Sequence, residues 1–324
     1  MRGEFPRRLA RPLTPTAGAA LARNPSYRGP DVSELRRVAV PDLPAGPAAP
    51  EERRLLAAVL TAPTDDGPRV AFADYCDKLG DPRGPFIRAQ LADPTAQVPA
   101  VIAAAARELF AVVSAEDLVW RRGFVEGTSL AGRAFISLGD WVARQTPLNE
   151  VRLVAVQPYL GELAATPHLA QLRTLNLRGN RIGPTGLAAL LASPHLAADA
   201  LNLAVNNLTA DDVPTLPPLR RLDLSGNSLG GNVVWPARHF DALNLDGVGL
   251  GLDGALRLAA SGVTAVSLDL GFNALTDAGV AAVVGSPLGR GCRWLGLRGN
   301  RLTPAVREIL AGFGGAVDLR ANFL

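Results

Sequence analysis

The chain is poor in the residues that catalytic and metal sites most often use. It carries three His and two Cys in 324 residues, and it has no P-loop, Cys-x-x-Cys or His-Glu-x-x-His motif. No catalytic residue, cofactor or metal is therefore expected. Cys76 and Cys292 lie far apart, each in an apolar slot. They read as buried thiols in a reducing compartment, which makes the expected location cytoplasmic. No apolar run approaches the ~20 residues of a membrane span. Arg2, Arg7, Arg8 and Arg11 precede Pro12–Ala22, but that segment is short for a secretion signal and is broken by Pro12 and Pro15. Lysine is nearly missing, Lys78 being the only one. The formal charge of +3 is unevenly spread: residues 1–50 hold eight Arg against four acids, so the leader carries +4 and the remainder −1. A near-neutral body argues against nucleic-acid binding outside that leader.

What is abundant is leucine, at fixed intervals. The clearest copy reads Leu172-x-x-Leu175-x-Leu177-x-x-Asn180-x-Ile182, and six more follow as far as Gly314/Val317/Leu319/Asn322/Leu324. The Asn positions are separated by 26, 21, 21, 25, 27 and 22 residues, with Val248 standing in for Asn once. This pattern is similar to leucine-rich repeats. It implies a solenoid in which the second and third Leu of each short strand point inward and stacked coils bury one another. The Asn, just past the strand, is expected to pair with backbone groups that lose their ladder partners there. Val248 cannot do so, and a weak point or a bound water is expected in that coil.

The return segments divide in two. After Asn180, Val248 and Asn273, a Gly six residues on (Gly186, Gly254, Gly279) opens onto an Ala/Leu/Val-rich helical stretch, similar to the ribonuclease-inhibitor type of repeat. The two 21-residue repeats hold Thr209–Pro218 and Gly230–Pro236, whose prolines predict extended or 3₁₀ returns. His168 and His195 recur in matching Pro-His-Leu phrases and read as turn residues, since no third ligand stands in register.

Ahead of the repeats, residues 1–50 hold nine Pro and little periodic hydrophobicity, which predicts a disordered leader. Helical patterns follow. Leu55, Leu56, Val59 and Leu60 share one face, and Val70, Phe72, Ala73, Cys76 and Leu79 supply the next, closed by Gly80. Asp74 is placed to pair with Lys78 one turn on. The phrases Phe72-Ala73-Asp74-Tyr75 and Gly80-Asp81-Pro82-Arg83-Gly84-x-Phe86-Ile87-Arg88 resemble a small bacterial repeat-companion domain that precedes leucine-rich repeats. Tyr75 and Pro85 stand where that family has Trp and Glu. The resemblance covers about residues 51–91 and implies architecture rather than catalysis. Val101, Ile102, Ala105, Leu109 and Val112 predict a further helix over 98–113, with a strand near Phe124–Leu130 and a helix over 134–145. The expected fold is thus α/β: a leader (1–50), a helical companion domain (51–91), a helix and solenoid cap (92–147), and repeats (148–324) with a short parallel concave sheet and a mixed convex side.

The leading functional expectation is a non-catalytic scaffold that binds a protein partner on the concave face. The residues named for it are Trp294, Arg298, Arg320, Asp269, Asp318, Arg178, Arg221 and Asp246, all at strand positions that alternate with the inward leucines. A central Asn/Asp column between the leucines has a structural reading as well. The alternatives are an enzyme without a recognisable motif and nucleic-acid binding through the basic leader. No membrane partner is expected, and the last repeat offers an edge for self-association.

Overall fold

The computed structural model describes residues 49–111 and 116–322. The expectations for the leader, Val112 and Leu324 fall outside the described residues. Pro50–Thr61 (α1), Gly67–Lys78 (α2) and Arg83–Ala92 (α3) pack around Leu55, Leu56, Val59, Phe72, Ala73, Cys76 and Ile87. Val70 and Leu79 are exposed instead of buried. Arg69 takes the place on the buried face that Val70 was expected to share, and Leu79 lies past the last turn. Asp74 pairs with Arg88 rather than Lys78, and Asp77 joins it at 3.0 Å. Arg83 bridges Asp81 and Glu52, each at 2.7 Å, so two arginines of the Gly80–Arg88 phrase tie α3 to α1 and α2.

Helix α4, Ala100–Ala111, buries Ile102, Ala106 and Phe110. The stripe is shifted from the expected Val101/Ala105/Leu109 because the larger Phe110 packs edge-on to Trp141, leaving Val101 exposed. An unexpected strand, β1 (Glu116–Arg121), pairs antiparallel with β2 (Phe124–Ala131). Between them, Arg122 and Gly123 have φ of 50° and 83°, the positive pair that a tight hairpin requires. Phe124 reaches back into the helical cluster, edge-on to Phe72 at 5.5 Å. Beside it Arg69, fully buried, meets Glu126 of β2 at 2.8 Å and donates to the Pro63 carbonyl. Glu126 also accepts from Arg122 and Asn149, so the buried charges are shared among several donors.

After helix α5 (Gly132–Gln145) the solenoid begins with β3 (Glu150–Val154). The strands β4 (Thr174–Asn176), β5 (Ala200–Asn202), β6 (Arg221–Asp223), β7 (His239–Asn244), β8 (Thr264–Asp269), β9 (Trp294–Gly296) and β10 (Ala316–Asp318) follow in chain order in one sheet, parallel from β2 onward. Val151, Leu175, Leu201, Leu222, Leu243, Leu268, Leu295 and Val317 lie side by side in register. Their inward row, with that of Leu177, Leu203 and Leu224, forms one continuous core. The convex returns are helical at Gly183–Leu191 (α6), Gly251–Ala260 (α7) and Asp277–Gly285 (α8). The two short coils return through a 3₁₀ turn, Ala210–Thr215, and through an irregular segment over 230–236. The mixed convex side is as the prolines predict.

The asparagines close each coil onto its neighbour. Asn206 Nδ2 donates to Leu177 O at 2.9 Å, and its Oδ1 accepts from Asn180 N at 2.9 Å. Asn273, Asn300 and Asn322 repeat the arrangement, each donating to the third leucine of the preceding coil. At Val248 the ladder skips. Asn227 N, which has no carboxamide above it, turns to Leu224 O of its own coil at 3.3 Å. Asn300→Val should therefore cost about 2–4 kcal/mol, since it strands several buried backbone groups. Val248→Asn should cost less than about 1 kcal/mol or stabilise, because it restores a missing rung. Urea denaturation midpoints of the two variants against the parent check both.

Candidate functional site

The concave face is built by the residues between the inward leucines. Its central column is Arg152, Asn176, Asn202, Asp223, Asn244, Asp269, Gly296 and Asp318. Six of these act locally. The side-chain oxygens of Asn176, Asn202, Asp223, Asn244, Asp269 and Asp318 each accept from the backbone N–H two residues on, at 2.9–3.1 Å. These bonds end the strand and turn the chain toward the ladder. The column is thus first a structural device, and binding chemistry belongs to what stands beside it.

The eight residues named from the sequence fall into two groups. Over β7–β10, Asp246, Asp269, Trp294, Arg298, Asp318 and Arg320 come together. Arg298 pairs with Asp246 and lies over the Phe272 ring at 5.3 Å. Arg320 pairs with Asp318 at 2.6 Å, which holds that carboxyl below its ordinary range. Trp294 is half-buried rather than projecting freely: a Cβ at Gly296 would lie 2.7 Å from its indole and 2.4 Å from Asp269 Oδ1. Gly296 is the floor on which both side chains rest. Asp269, desolvated by burial, held down by the Gly271 N–H and pushed up again by Asp246, is raised to about 6. Over β4–β6, away from this cluster, stand Arg178 and Arg221. Arg178 Nη1 reaches Ser225 Oγ at 3.5 Å and Arg221 Nη2 reaches Thr174 Oγ1 at 3.5 Å.

Two further residues belong to the face. In every coil the residue before the ladder position has positive φ: Ala155, Gly179, Val205, Gly226, Gly247, Phe272, Gly299 and Ala321. Glycine suits that conformation, whereas Val205 and Phe272 hold it at φ 55° and 50°. Both are also large and exposed, at 42% and 54%. Each lies against the glycine of the next coil; a Cβ at Gly299 would sit 2.2 Å from the Phe272 ring, and one at Gly226 would sit 3.0 Å from Val205. The signal was present in the repeat frame, as bulky residues in a slot that elsewhere holds Gly or Ala.

Comparison with known families agrees with this geometry. Leucine Rich repeat models match residues 168–191, 218–238 and 266–284. The chain carries leucine-rich repeats. No curated protein matches it. The matched stretches span β4 with α6, β6 with the irregular return, and β8 with α8, so they sample both kinds of leucine-rich coil.

Outside the repeats, a cleft of about 500 Å³ lies between the N-terminal helices and the hairpin, lined by Leu56, Phe72, Ile102, Phe110 and Trp120 among others. Among the described residues its one cationic lining group, Arg83, is held by Asp81 and Glu52, so these residues offer apolar contact without a free orienting charge. The thiols of Cys76 and Cys292 are buried and each is pushed up to about 11 by desolvation, so both stay protonated at neutral pH. Among the described residues no group of three or more His, Cys, Asp and Glu could hold a metal ion, and no helix is long and apolar enough to cross a membrane.

Asp269 gives this face a measurable pH dependence. Folded, it holds its proton to higher pH than the unfolded chain does, so the folded state binds more protons between about pH 4 and pH 6 and loses stability as pH rises through that window. Asp269→Asn keeps the acceptor for the Gly271 N–H and removes the charge. It should flatten the profile there and gain about 1–2 kcal/mol at pH 8. Thermal melts of both proteins from pH 4 to 8 check this.

Proposed function

We propose that the chain is a non-catalytic scaffold that binds a protein partner on its concave leucine-rich surface, centred on Phe272, Trp294 and Arg298. The observation that carries the reading is Phe272. An exposed aromatic ring is held in a backbone conformation that costs of order 1–2 kcal/mol, where glycine would fit without strain, and within the free protein only its contacts with Arg298 and Gly299 offset that cost. Its position gives the strain a use. The ring supports Arg298, lies one coil from Trp294 and is flanked by Asp246, which makes an aromatic–arginine cluster of the composition that dominates protein interfaces. Rigidity adds to this, because the cluster stands on a continuous sheet and loses little entropy on binding. The absence of catalysis is part of the proposal. It draws support from the protonated thiols and from the use of most carboxylates in turns or ion pairs.

Phe272→Gly together with Trp294→Ala should leave the urea midpoint nearly unchanged, since the first substitution relieves strain and the second removes a half-buried ring. The double variant should lose the proteins that the parent captures by crosslinking from its native cells. Leu256→Ser, on the exposed outer side of α7, should retain them. Equal capture by both variants would overturn the concave-face reading.

A further inference from the structure

The geometry points to a second, separate contact on the concave face: a carboxylate-binding site over β3–β6, built by Arg152, Arg178 and Arg221 around Asn176. It rests on the concave-face reading and names the chemistry of what that half of the face takes.

The register places the parts. Across β4, β5 and β6 the face reads Thr174–Ala200–Arg221, then Asn176–Asn202–Asp223. The residues next in line are Arg178, Ala204 and Ser225. Arg221 crosses β5 above Ala200 to approach Thr174, and Arg178 crosses the same strand in the opposite sense, past Ala204, to approach Ser225. The small residues of β5 leave room for both, and Asn202 lies between their paths. Arg152 stands next to Asn176 on β3. None of the three arginines has a carboxylate bonded to it among the described residues. The contacts of Arg178 and Arg221 are hydroxyls at 3.5 Å, the outer limit of a hydrogen bond. On the C-terminal half of the face, by contrast, Arg298 and Arg320 are both paired with Asp.

Asn176 supplies an independent sign. It is fully buried, its Oδ1 is used by the Arg178 N–H, and its Nδ2 has no partner. A buried donor left unsatisfied is a cost that a bound acceptor removes. Three guanidinium groups without a bonded carboxylate, around one unsatisfied amide donor, match a carboxylate, which accepts bidentate bonds from arginine. A continuous polyanion fits poorly. Along the sheet it would run onto Asp223, whose carboxyl is raised by burial, and then onto Asp246, Asp269 and Asp318. A protein segment with one or two carboxylates seated beside Arg178 and Arg221 meets only Asp223 of that series, and Asp223 already accepts from Asn202 and lies in the field of Arg178.

The test uses full-length protein and three fluorescent probes at low salt: a Gly/Ser peptide with two internal Glu and an amidated end, the same peptide with Ser for Glu and a free C-terminal carboxylate, and an oligo-dT strand. At least one peptide should bind. Arg178→Gln with Arg221→Gln should weaken it at least tenfold, while the Lys double variant, which keeps charge but loses the fork, should fall between. A control pair on other surfaces, Arg257→Gln with Arg307→Gln, should change affinity less than twofold. Which peptide binds separates a side-chain carboxylate from a chain terminus. Binding that is unchanged in the Arg178→Gln/Arg221→Gln protein, or oligo-dT binding that depends on these arginines more than peptide binding does, would overturn the proposal. Peptide binding that persists in the Phe272→Gly/Trp294→Ala protein leaves this site standing even if the cluster over β7–β10 fails its own test.

Discussion

A carboxamide just past most of the strands, bonded to the backbone of the coil before it, is what makes this chain a solenoid rather than a string of short strands. Strands of three residues cannot satisfy the backbone where the chain leaves the sheet. The asparagine does so from the inside, donating to one coil and accepting from the same coil's turn. The residue before it must then adopt positive φ, and the residue between the leucines caps the strand end. Three positions in each coil are committed to turning the chain. The rest of the face is free to vary.

That division explains why the concave surface carries its chemistry where it does. The Asn/Asp column resembles a polar binding ladder but is used in turns. Specificity is left to the arginines of the flanking columns, to Trp294 and to the two bulky residues that occupy strained glycine-like slots. Charge separates along the sheet as a result: unpaired arginines over β3–β6, and aspartates with paired arginines over β7–β10. A partner that reads the whole face would need carboxylates at one end and an aromatic-tolerant, cation-bearing surface at the other.

Much of this was legible in the residues. The leucine frame determined register, and Gly186, Gly254 and Gly279 marked helical returns while the proline-bearing coils did not. The helical segments ahead of the repeats were legible from periodicity, but their faces were not. Arg69 displaced Val70 because a partner 57 residues away, Glu126, neutralises it in the interior. Phe110 outweighed Val101 for lack of any local cue. Asp74 chose Arg88 over Lys78 because the α2–α3 turn brings a second helix alongside, which spacing within one helix cannot reveal. Strand β1 was missed because Asp117 and Arg121 interrupt its apolar pattern, and only pairing with β2 defines it. Among the candidate site residues, the concave positions followed from alternation. Their grouping did not, since it depends on which arginine finds an aspartate.

The central claim is that side-chain carboxamides, more than strand pairing, hold coil to coil. Native-state hydrogen exchange of the ladder amides tests it directly. The amides of Asn180, Asn206, Asn273 and Asn300 are bonded to the next carboxamide, whereas that of Asn227 faces Val248 and turns to its own coil. The account predicts that the first four exchange at least about tenfold more slowly than Asn227. Equal protection at all five, or rapid exchange at the four, would contradict it.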